Sequence, residues 1–480
     1  MPDEKKQFET VIGLEVHLQL KTKSKIFCGC KNTFGGEPNT QTCPVCLGLP
    51  GSLPVLNRKV LEYAIKTGLA LNCKINSFIK FDRKNYYYPD LPKAYQISQY
   101  DSPVCYDGFV LVPQEKGEEK KIRLTRAHLE EDAGKLMHDH NANCSLVDYN
   151  RTGTPLLEIV TQPDIRSAQE AYDYLQILKL TLQYLDVSDC DMEKGSLRCD
   201  ANISLRVMGE EKLGVKTELK NMNSFKAVKS ALLFEERRQE GILQSGGKIT
   251  QETRLWDENK QMTFTMRSKE EAHDYRYFPD PDLVPFVIEE KAIKGIAENL
   301  PELPFDKCNR IKKEYDLSDY DAWVLVGSLE TADFFEACAK LHRNYKSVCN
   351  WISGPLLQEA NARKTGISGL KIEPKRFVEI VKKSEDGSLS NLGAKDVLKQ
   401  ALCSDKSIEQ IISEKGLAQV SDDATLEKIA DEVIKANLSV VEQIKSGDEK
   451  PLGFLVGQAM KKTQGKANPK KIGEIIKRRL

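Results

Sequence analysis

The stretch VIGLEVHLQL, residues 11–20, alternates apolar and polar side chains, and this alternation decides the fold predicted for the first part of the chain. Its even-numbered positions are apolar, whereas the polar residues Glu15, His17 and Gln19 occupy odd-numbered positions. Because successive side chains of a strand point to opposite faces, the pattern predicts a strand with one buried and one solvated face. The same period of two recurs in ANISLRVM (201–208) and GVKTELK (214–220). We therefore expect a largely antiparallel, one-sided sheet over roughly the first 290 residues.

Helices interrupt and then replace these strands. Ser167 and Glu170 have the spacing of a capping box before an apolar-periodic run, and NSFKAVKSALLFEERRQEG (223–241) runs from an Asn/Ser cap to a Gly. The strand signal fades near PELPFD (301–306), where helical periodicity begins. The predicted class is α+β, in three parts: an N-terminal domain over 1–295, an all-helical domain over 296–405 and a small helical tail over 406–480.

Composition limits the classes of function. The chain has 480 residues, with 71 Lys plus Arg against 71 Asp plus Glu, so any binding of nucleic acid must be local. The start, MPDEKKQFET, is unlike a secretory signal, and no segment is long and apolar enough to span a bilayer. Nine of the thirteen cysteines are scattered singly from Cys73 to Cys403. We expect these to be buried, reduced thiols of a cytoplasmic protein.

The other four cysteines are clustered. In FCGCKNTFGGEPNTQTCPVC (27–46), Cys28 and Cys30 form one pair, and Cys43 and Cys46 form another. Two short thiol pairs in a Gly- and Pro-containing loop are typical of a tetrahedral zinc site, although Cys-x-Cys is the less usual half. Four thiolates leave no open coordination position, so the zinc would be structural. The alternative is four unrelated buried cysteines.

Acidic residues and one histidine form a second candidate metal site. Glu15 and His17 share the polar face of the first strand. Further carboxylates come from HLEEDAGK, with Glu130 beside two more acids, and from Glu158 inside the apolar stretch TPLLEIV. Carboxylates with an imidazole suit Mg²⁺, which neutralises phosphate oxygens during phosphoryl transfer. Without further information, however, a lone histidine in a strand is more often structural, and a run of acids is usually a solvated face.

Two loops combine cations with tyrosines. FDRKNYYYPDLPKAYQ (81–96) contains Arg83 and Lys84, and HDYRYFPDPDL (273–283) places an arginine between two tyrosines. Cations beside stacking faces suit phosphate and nucleotide contacts, but a Tyr-rich loop packed on the sheet would look the same. From Gly457 onward the tail has eight Lys or Arg and one acid. The chain lacks a Walker-type phosphate loop, a dinucleotide fingerprint and an amidase-type Ser-Ser motif.

Ten motifs, taken in order, resemble the B subunits of glutamyl-tRNA(Gln)/aspartyl-tRNA(Asn) amidotransferases, and they extend over essentially the whole chain. They are GLEVHLQL, CPVCLGLPGSLPVLN, FDRKNYYYPDLPKAYQISQ, HLEEDAGK, DYNRTGTPLLEIV, GSLRCDANIS, ELKNMNSF, QETRLW, DYRYFPDPDL and, in a tail of YqeY type, GFLVGQAMKKTQGKANP. The resemblance implies a cradle-shaped catalytic domain with a glutamine-synthetase-like sheet, then a helical domain and a YqeY-like tail. It also implies ATP-dependent activation of the side-chain carboxylate of a misacylated tRNA. Ammonia then displaces the phosphate. The resemblance implies that this ammonia comes from an amidase-type A subunit, and that a small C subunit completes the heterotrimer.

The resemblance also implies residue roles. Glu15, His17 and Glu130 would hold Mg²⁺ directly or through water, with Glu158 as a further ligand, and Arg83 and Lys84 would contact phosphate. The reacting centre would be lined by Arg198, Asp200 and Asn202. The tRNA-binding residues would be Tyr275, Arg276, Tyr277, Lys461, Lys462, Lys466, Lys470 and Lys471. Two other interpretations remain open: a zinc-stabilised tRNA adaptor without chemistry, and a stand-alone ligase acting on free glutamate.

Overall fold

The computed structural model describes residues 7–114, 118–139, 144–268, 274–417, 423–445, 451–463 and 469–480. The chain divides into two compact units, Met1–Leu303 and Pro304–Leu480. Strands are found in the first unit, and the described part of the second is helical. This arrangement confirms the predicted α+β class.

The first unit contains the elements that carry the candidate site. Its strands are β1 (Phe8–Gln19), β2 (Lys74–Ile75), β3 (Phe78–Ile79), β4 (Asp82–Asn85), β5 (Tyr95–Ser98), β6 (Cys105–Pro113), β7 (Glu119–Glu131), β8 (Lys135–Asp139), β9 (Cys144–Asp148), β10 (Pro155–Thr161), β11 (Leu197–Val207), β12 (Thr217–Lys220), β13 (Glu252–Asp257), β14 (Met262–Ser268), β15 (Phe278–Pro279) and β16 (Phe286–Val287). Its helices are α1 (Pro44–Leu47), α2 (Arg58–Ala70), α3 (Ala168–Tyr184), α4 (Phe225–Gln244) and α5 (Glu290–Glu298), with a 3-10 turn at Tyr149–Arg151.

Nine of these strands form one sheet in the order β14-β13-β12-β11-β1-β10-β7-β6-β2. Its ladders are antiparallel except for the parallel pair β12–β13, in agreement with the expected largely antiparallel sheet. Three small sheets lie beside it: β15-β4-β5, β16-β3 and β8-β9. The chain's first strand is therefore central in the sheet, and its neighbours β10 and β11 come much later in the sequence.

The predicted alternation of β1 fixes which face of the sheet is buried. Its even-numbered apolar side chains, from Ile12 to Leu18, are buried, whereas Glu15 and His17 are half-buried on the other face. The buried face packs against α3 and α4, with Tyr174, Leu178 and Val228 in the same core. A register slip of one residue would move Glu15 and His17 into this core, so burial strongly specifies the register.

Both predicted helices are present, with two local differences: one lies at the cap of α3, and the other is that α4 does not end at Gly241 but continues to Gln244. The Ser167 hydroxyl caps α3 by accepting the Glu170 N–H at 3.1 Å, as expected. The reciprocal half of the capping box is different, because the Glu170 carboxylate accepts the N–H of Arg166 at 2.8 Å instead of that of Ser167. The α4 helix begins after its Ser224 cap, whose hydroxyl accepts the Ala227 N–H at 3.0 Å.

The second unit is built from helices around two cores. The helices are α6 (Pro304–Tyr315), α7 (Asp319–Val326), α8 (Leu329–Ala339), α9 (Tyr345–Trp351), a π-helical turn (Ile352–Leu356), α10 (Leu357–Ala362), α11 (Pro374–Glu385), α12 (Asn391–Ala401), α13 (Ile408–Lys415), α14 (Asp423–Ala436), α15 (Leu438–Lys445), α16 (Leu452–Lys462) and α17 (Pro469–Arg479), with a 3-10 turn at Ser368–Leu370. One core runs from Cys308 to Ile411 and the other from Leu426 to Ile476.

The predicted boundaries at 295/296 and 405/406 stay predictions. Near the first, α5 spans residue 295, and its Ile293 and Ile296 pack against the core of the first unit. Near the second, Ile408 and Ile411 of α13 belong to the core that begins at Cys308.

All thirteen cysteines are free thiols. The expectation that the nine scattered ones are buried is wrong for two of them, since Cys144 and Cys403 are exposed. Among the described residues, no helix is long and apolar enough to cross a membrane.

Candidate active site

Three side chains meet on the polar face of the nine-stranded sheet: His17 of β1, Glu130 of β7 and Glu158 of β10. Strand pairing brings them together, because His17 lies opposite Glu158 and Glu158 lies opposite His128. Glu130 lies two residues beyond His128 and so shares its face. Residues separated by more than a hundred positions in the chain thereby become neighbours.

The distances within this group suit a metal ion. His17 Nε2 lies 3.4 Å from Glu158 Oε2 and 3.9 Å from Glu130 Oε1. One candidate ligand atom from each of the three side chains lies within 4.8 Å of the others. Both carboxyl groups are buried, with 3% of Glu130 and 9% of Glu158 exposed. Two buried carboxylates and an imidazole are a donor set suited to a small divalent cation.

The pKa shifts within the group also favour a bound cation. Burial and the neighbouring Glu158 raise the pKa of Glu130. Burial also opposes the ionisation of Glu158, but the contact with His17 and the charge of Lys84 outweigh it and hold the pKa of Glu158 well below its usual range. Burial lowers the pKa of His17, yet its contact with Glu158 produces a net rise. A cation between the two carboxyl groups would offset the burial and the repulsion by Glu158 that raise the pKa of Glu130.

A second imidazole borders the group. His128 Nε2 lies 3.5 Å from Glu158 Oε2 and 3.9 Å from Glu130 Oε2. Its Nδ1 accepts a hydrogen bond of 3.3 Å from Arg126 Nε. Burial lowers the pKa of His128 to about 4, so this ring is neutral at neutral pH.

His17 and Glu130 of this group line an open cleft of about 300 Å³ that also contains cationic side chains. Lys84 lines it, and its ammonium lies 4.9 Å from the ring centre of Tyr275. Burial lowers the pKa of Lys84, but Glu130, the nearby tyrosines and Glu158 raise it overall, so the ammonium stays charged. The residues lining the cleft are His17, Lys84, Tyr86, Gln96, Glu130, Asp132, Ala133, Arg151, Leu156, Arg198 and Asp200.

Two guanidinium groups share one carboxylate at the side of the cleft. Asp132 Oδ2 lies 2.9 Å from Arg198 NH2 and 3.5 Å from Arg151 Nε, and it also accepts the Gln19 amide at 3.0 Å. Burial raises the pKa of Asp132, but the two arginines lower it overall. Arg198 Nε is buried without a hydrogen-bond partner among the described residues. Arg198 therefore has an N–H group that can donate to a ligand while its Nη2 contacts Asp132.

The remaining predicted residues of the reacting centre lie on the same face. Lys220 of β12 pairs with Asp200 at 2.7 Å and with Glu218 at 3.2 Å. Asn202 donates its amide to Glu15 Oε1 at 2.9 Å. Glu15 is therefore held beside the site but is not part of the close group formed by His17, Glu130 and Glu158.

The two Tyr-rich loops pack together. Their cations Arg83 and Lys84 have different surroundings. Arg83 pairs with Asp280 and Asp282, each at 2.9 Å, and it does not line the cleft that Lys84 lines. Asn85 donates its amide to the carbonyl of Arg276 at 2.8 Å. The neighbouring Tyr277 stacks on Tyr100 with ring centres 4.4 Å apart, and Tyr275 lies 6.2 Å from Tyr277.

The four clustered cysteines converge as the sequence predicts for a metal site. Their sulfur atoms, from Cys28, Cys30, Cys43 and Cys46, lie within 4.8 Å of one another. Cys46 Sγ accepts the Cys43 N–H at 3.1 Å and lies 3.8 Å from Lys25 Nζ. Lys25 is fully buried and also donates to the Gln41 carbonyl at 2.7 Å. The contact with Cys28, helped by the charge of Lys25, lowers the pKa of Cys46 to about 5, whereas the contact with Cys46 raises the pKa of Cys28. Thiolate is the form that binds zinc.

One glycine connects the cysteine cluster to the cleft. Gly153 donates its N–H to the carbonyl of Asp132 at 2.9 Å and accepts the Ile26 N–H at 3.0 Å. Its φ is +80°, and a Cβ at this position would lie 3.5 Å from Cys46 Cβ. The cysteine loop is thus fixed directly to the backbone beside the site.

The basic tail is only partly described. Lys461 and Lys462 are exposed at the end of α16, where Lys462 pairs with Glu432. Lys471 lies half-buried in α17. Lys466 lies outside the described residues, and so does the side chain of Lys470.

The sequence interpretation missed three residues near the site. His128 has the same two-residue spacing to Glu130 that identified Glu15 with His17, so this signal was present in HLEEDAGK. Lys220 lies on a predicted polar strand face and could have been noted in the same way. Arg151 lies in a 3-10 turn, where no periodic pattern marks which side chains converge.

Comparison with known proteins identifies the family of this chain. The family model for the GatB/GatE catalytic domain matches residues 10–294, and that for the GatB domain matches residues 333–480. The B subunits of aspartyl/glutamyl-tRNA(Asn/Gln) amidotransferases from several bacteria are similar over almost their whole length. The one from Carboxydothermus hydrogenoformans is 53% identical over 478 residues, which cover 99% of each chain. The one from Moorella thermoacetica is 52% identical over 476 residues, 99% of this chain and 100% of that one. A match of this extent shows that the chain belongs to the family of aspartyl/glutamyl-tRNA(Asn/Gln) amidotransferase B subunits.

Proposed function

We propose that this chain activates the side-chain carboxylate of Glu-tRNA(Gln), Asp-tRNA(Asn) or both with ATP, and that its cleft is where the carboxylate becomes an amide. The observation that carries the proposal is the close group of His17, Glu130 and Glu158 at a cleft that Lys84 and Arg198 line together with His17 and Glu130. A free carboxylate is a poor electrophile, whereas an acyl phosphate has a good leaving group. Transfer of the γ-phosphoryl group to the carboxylate followed by attack of ammonia therefore yields the amide, ADP and phosphate.

The donor set fits Mg²⁺, and we assign its binding to His17, Glu130 and Glu158. When bound, the ion neutralises phosphate oxygens and polarises the phosphoryl group. Glu15, which Asn202 holds beside the group, would act through a water molecule. This assignment brings Glu158 into the group in place of Glu15, because of the distances among the side chains.

The chain's cations would stabilise the charge that develops on the transferred group. Lys84 remains charged in the cleft and carries no ion pair shorter than 4 Å among the described contacts, so its ammonium suits a phosphate oxygen. Among the described residues, Arg198 Nε is buried without a partner, and Arg151 shares Asp132 with Arg198, so the two can clamp an anionic group. Arg83 would act indirectly, since its ion pairs with Asp280 and Asp282 fix the loop that bears Lys84. Asp200 and Asn202 would line the position of the acceptor carboxylate.

We assign a structural zinc to the four cysteines. The convergence of the sulfurs and the buried Lys25 support this assignment, because a four-thiolate zinc carries a net negative charge. The zinc would support the backbone around Asp132 through Gly153 and would take no part in the chemistry.

As a B subunit, the chain functions with partner subunits. We propose an amidase-type A subunit that hydrolyses glutamine and a small C subunit that completes a cytoplasmic heterotrimer. We further propose that Tyr275, Arg276 and Tyr277 contact the acceptor end of the misacylated tRNA. The tail lysines Lys461, Lys462, Lys466, Lys470 and Lys471 would contact the tRNA backbone without reading bases.

An amidation assay tests the proposed function directly. The chain is purified together with its A and C partners and incubated with Glu-tRNA(Gln) or Asp-tRNA(Asn), ATP and Mg²⁺. Glutamine or ammonium serves as the nitrogen donor. We expect amide product that depends on ATP, and with ammonium we expect it even when the glutaminase is inactivated. Free glutamate in place of the charged tRNA should give none. Absence of product from both tRNAs would overturn the proposal, and turnover of free glutamate would favour the stand-alone ligase.

Removal of the tail should separate tRNA use from metal binding. Truncation after residue 417 removes the core from Leu426 to Ile476 and leaves α13 packed on the preceding core. We expect KM for tRNA to rise by roughly tenfold or more, because phosphate contacts supply much of nucleic-acid affinity. Binding of Mn²⁺, a spectroscopic substitute for Mg²⁺, should be unchanged. An unaltered KM for tRNA would refute the role of the tail.

A further inference from the structure

His128 is buried beside the proposed metal ligands, but it does not belong to their close group. It lies on β7 with its backbone opposite Glu158, and only 4% of the residue is exposed. The described cluster of candidate ligand atoms contains His17, Glu130 and Glu158 and does not contain His128. Its position therefore needs an explanation other than coordination.

The hydrogen bond from Arg126 determines the tautomer of the His128 ring. Arg126 Nε lies 3.3 Å from His128 Nδ1, and a guanidinium can only donate. Nδ1 must therefore carry the lone pair. In the neutral ring the proton is then on Nε2, the atom that faces Glu158 and Glu130.

The two carboxylate oxygens of Glu130 have different neighbours. Glu130 Oε2 faces His128 Nε2 at 3.9 Å and Ser98 Oγ at 3.4 Å, both of which are donors. Glu130 Oε1 faces His17 Nε2 at 3.9 Å. One oxygen thus lies on the donor side, and the other lies beside the imidazole that belongs to the metal group.

We propose that His128 is a positioning residue for the divalent cation, which presents its Nε2–H to Glu130 and Glu158 and leaves Glu130 Oε1 facing the ion. It is not itself a ligand. This inference rests on the proposed function, because it requires a cation at His17, Glu130 and Glu158. Residues that orient metal ligands in this way affect affinity without touching the ion.

Two substitutions separate positioning from ligation. In His128→Gln the side-chain amide nitrogen is as many bonds from Cα as Nε2 and can donate to the same carboxylates. In His128→Asn the amide reaches only as far as Nδ1. We expect His128→Asn to lower the affinity for Mn²⁺ and the competing affinity of Mg²⁺ by about 10- to 100-fold, with His128→Gln retaining most of the affinity. Both are measured on the full chain assembled with its partner subunits, by electron paramagnetic resonance of free Mn²⁺.

The outcomes distinguish this inference from the proposed function. If His128→Gln loses as much affinity as His128→Asn, or if His128→Asn changes nothing, the positioning role is overturned. If the unmodified complex binds no Mn²⁺, the proposed metal site itself fails. Nitrogen chemical shifts of ¹⁵N-labelled histidine in the unmodified protein give a test that requires no variant to fold. We expect His128 to have an unprotonated Nδ1 and a protonated Nε2, and the opposite tautomer would refute the inference.

Discussion

Glu130→Gln is expected to abolish ATP-dependent amidation while leaving tRNA binding intact. The substitution keeps the size and shape of the side chain but removes the charge that the proposed Mg²⁺ requires. Since a metal ion supplies several kcal/mol of stabilisation in the transition state, we expect a loss in kcat of roughly 10²- to 10³-fold or more. The measurement is amide formation on charged tRNA with ammonium as donor, together with an independent titration of tRNA binding.

Glu119→Gln provides the matched control for this experiment. It makes the same chemical change on the same strand, β7, at an exposed position outside the cleft. It should leave both measurements unchanged. A fully active Glu130→Gln protein would contradict the metal assignment and would favour an adaptor whose acids merely line a solvated cleft.

Cys43→Ser is expected to produce the largest effect on stability. A serine hydroxyl is a poor zinc ligand, so the site loses one of its four thiolates and the metal with it. Structural zinc contributes about 10 to 16 kcal/mol of apparent binding free energy in small zinc-finger peptides, which sets an upper limit here. We expect sub-stoichiometric zinc by elemental analysis, a clearly lower midpoint of thermal unfolding and a parallel loss of folded, active protein. A chelator should reproduce these losses in the unsubstituted chain.

Cys144→Ser is the matched control, since Cys144 is an exposed thiol outside the cluster. It should alter neither zinc content nor stability. A Cys43→Ser protein that keeps its zinc and its unfolding midpoint but loses ATP chemistry would show that the cluster takes part in catalysis. That result would overturn the division between a structural and a catalytic metal.

Local patterns were sufficient to predict the strand, its polar face and the cysteine site. The spacing of Glu15 and His17 identified the face of β1 from which His17 lines the cleft, because side-chain direction in a strand depends on sequence parity alone. The four cysteines were identified because zinc sites use short thiol pairs. The antiparallel sheet followed from one-sided alternation repeated in several segments.

The composition of the group in the cleft depended on strand order and register, which local patterns do not encode. Glu158 joins His17 because β10 is the neighbour of β1, and Glu15 is instead held by Asn202 of β11. For the same reason the ion pairs of Arg83 with Asp280 and Asp282 could not be predicted, since they join β4 to the distant loop after β15.

The central position of β1 also has a consequence for the synthesis of the chain. This strand is synthesised before both of its partners, β10 and β11, which lie far downstream. About 140 residues must be added before the first partner emerges, which takes roughly 7 to 30 s at ordinary translation rates. During that interval an alternating apolar strand has two open edges, the condition under which strands pair wrongly or aggregate. The nascent polypeptide therefore needs chaperone protection of this strand until β10, which ends at Thr161, and then β11, which ends at Val207, have been made.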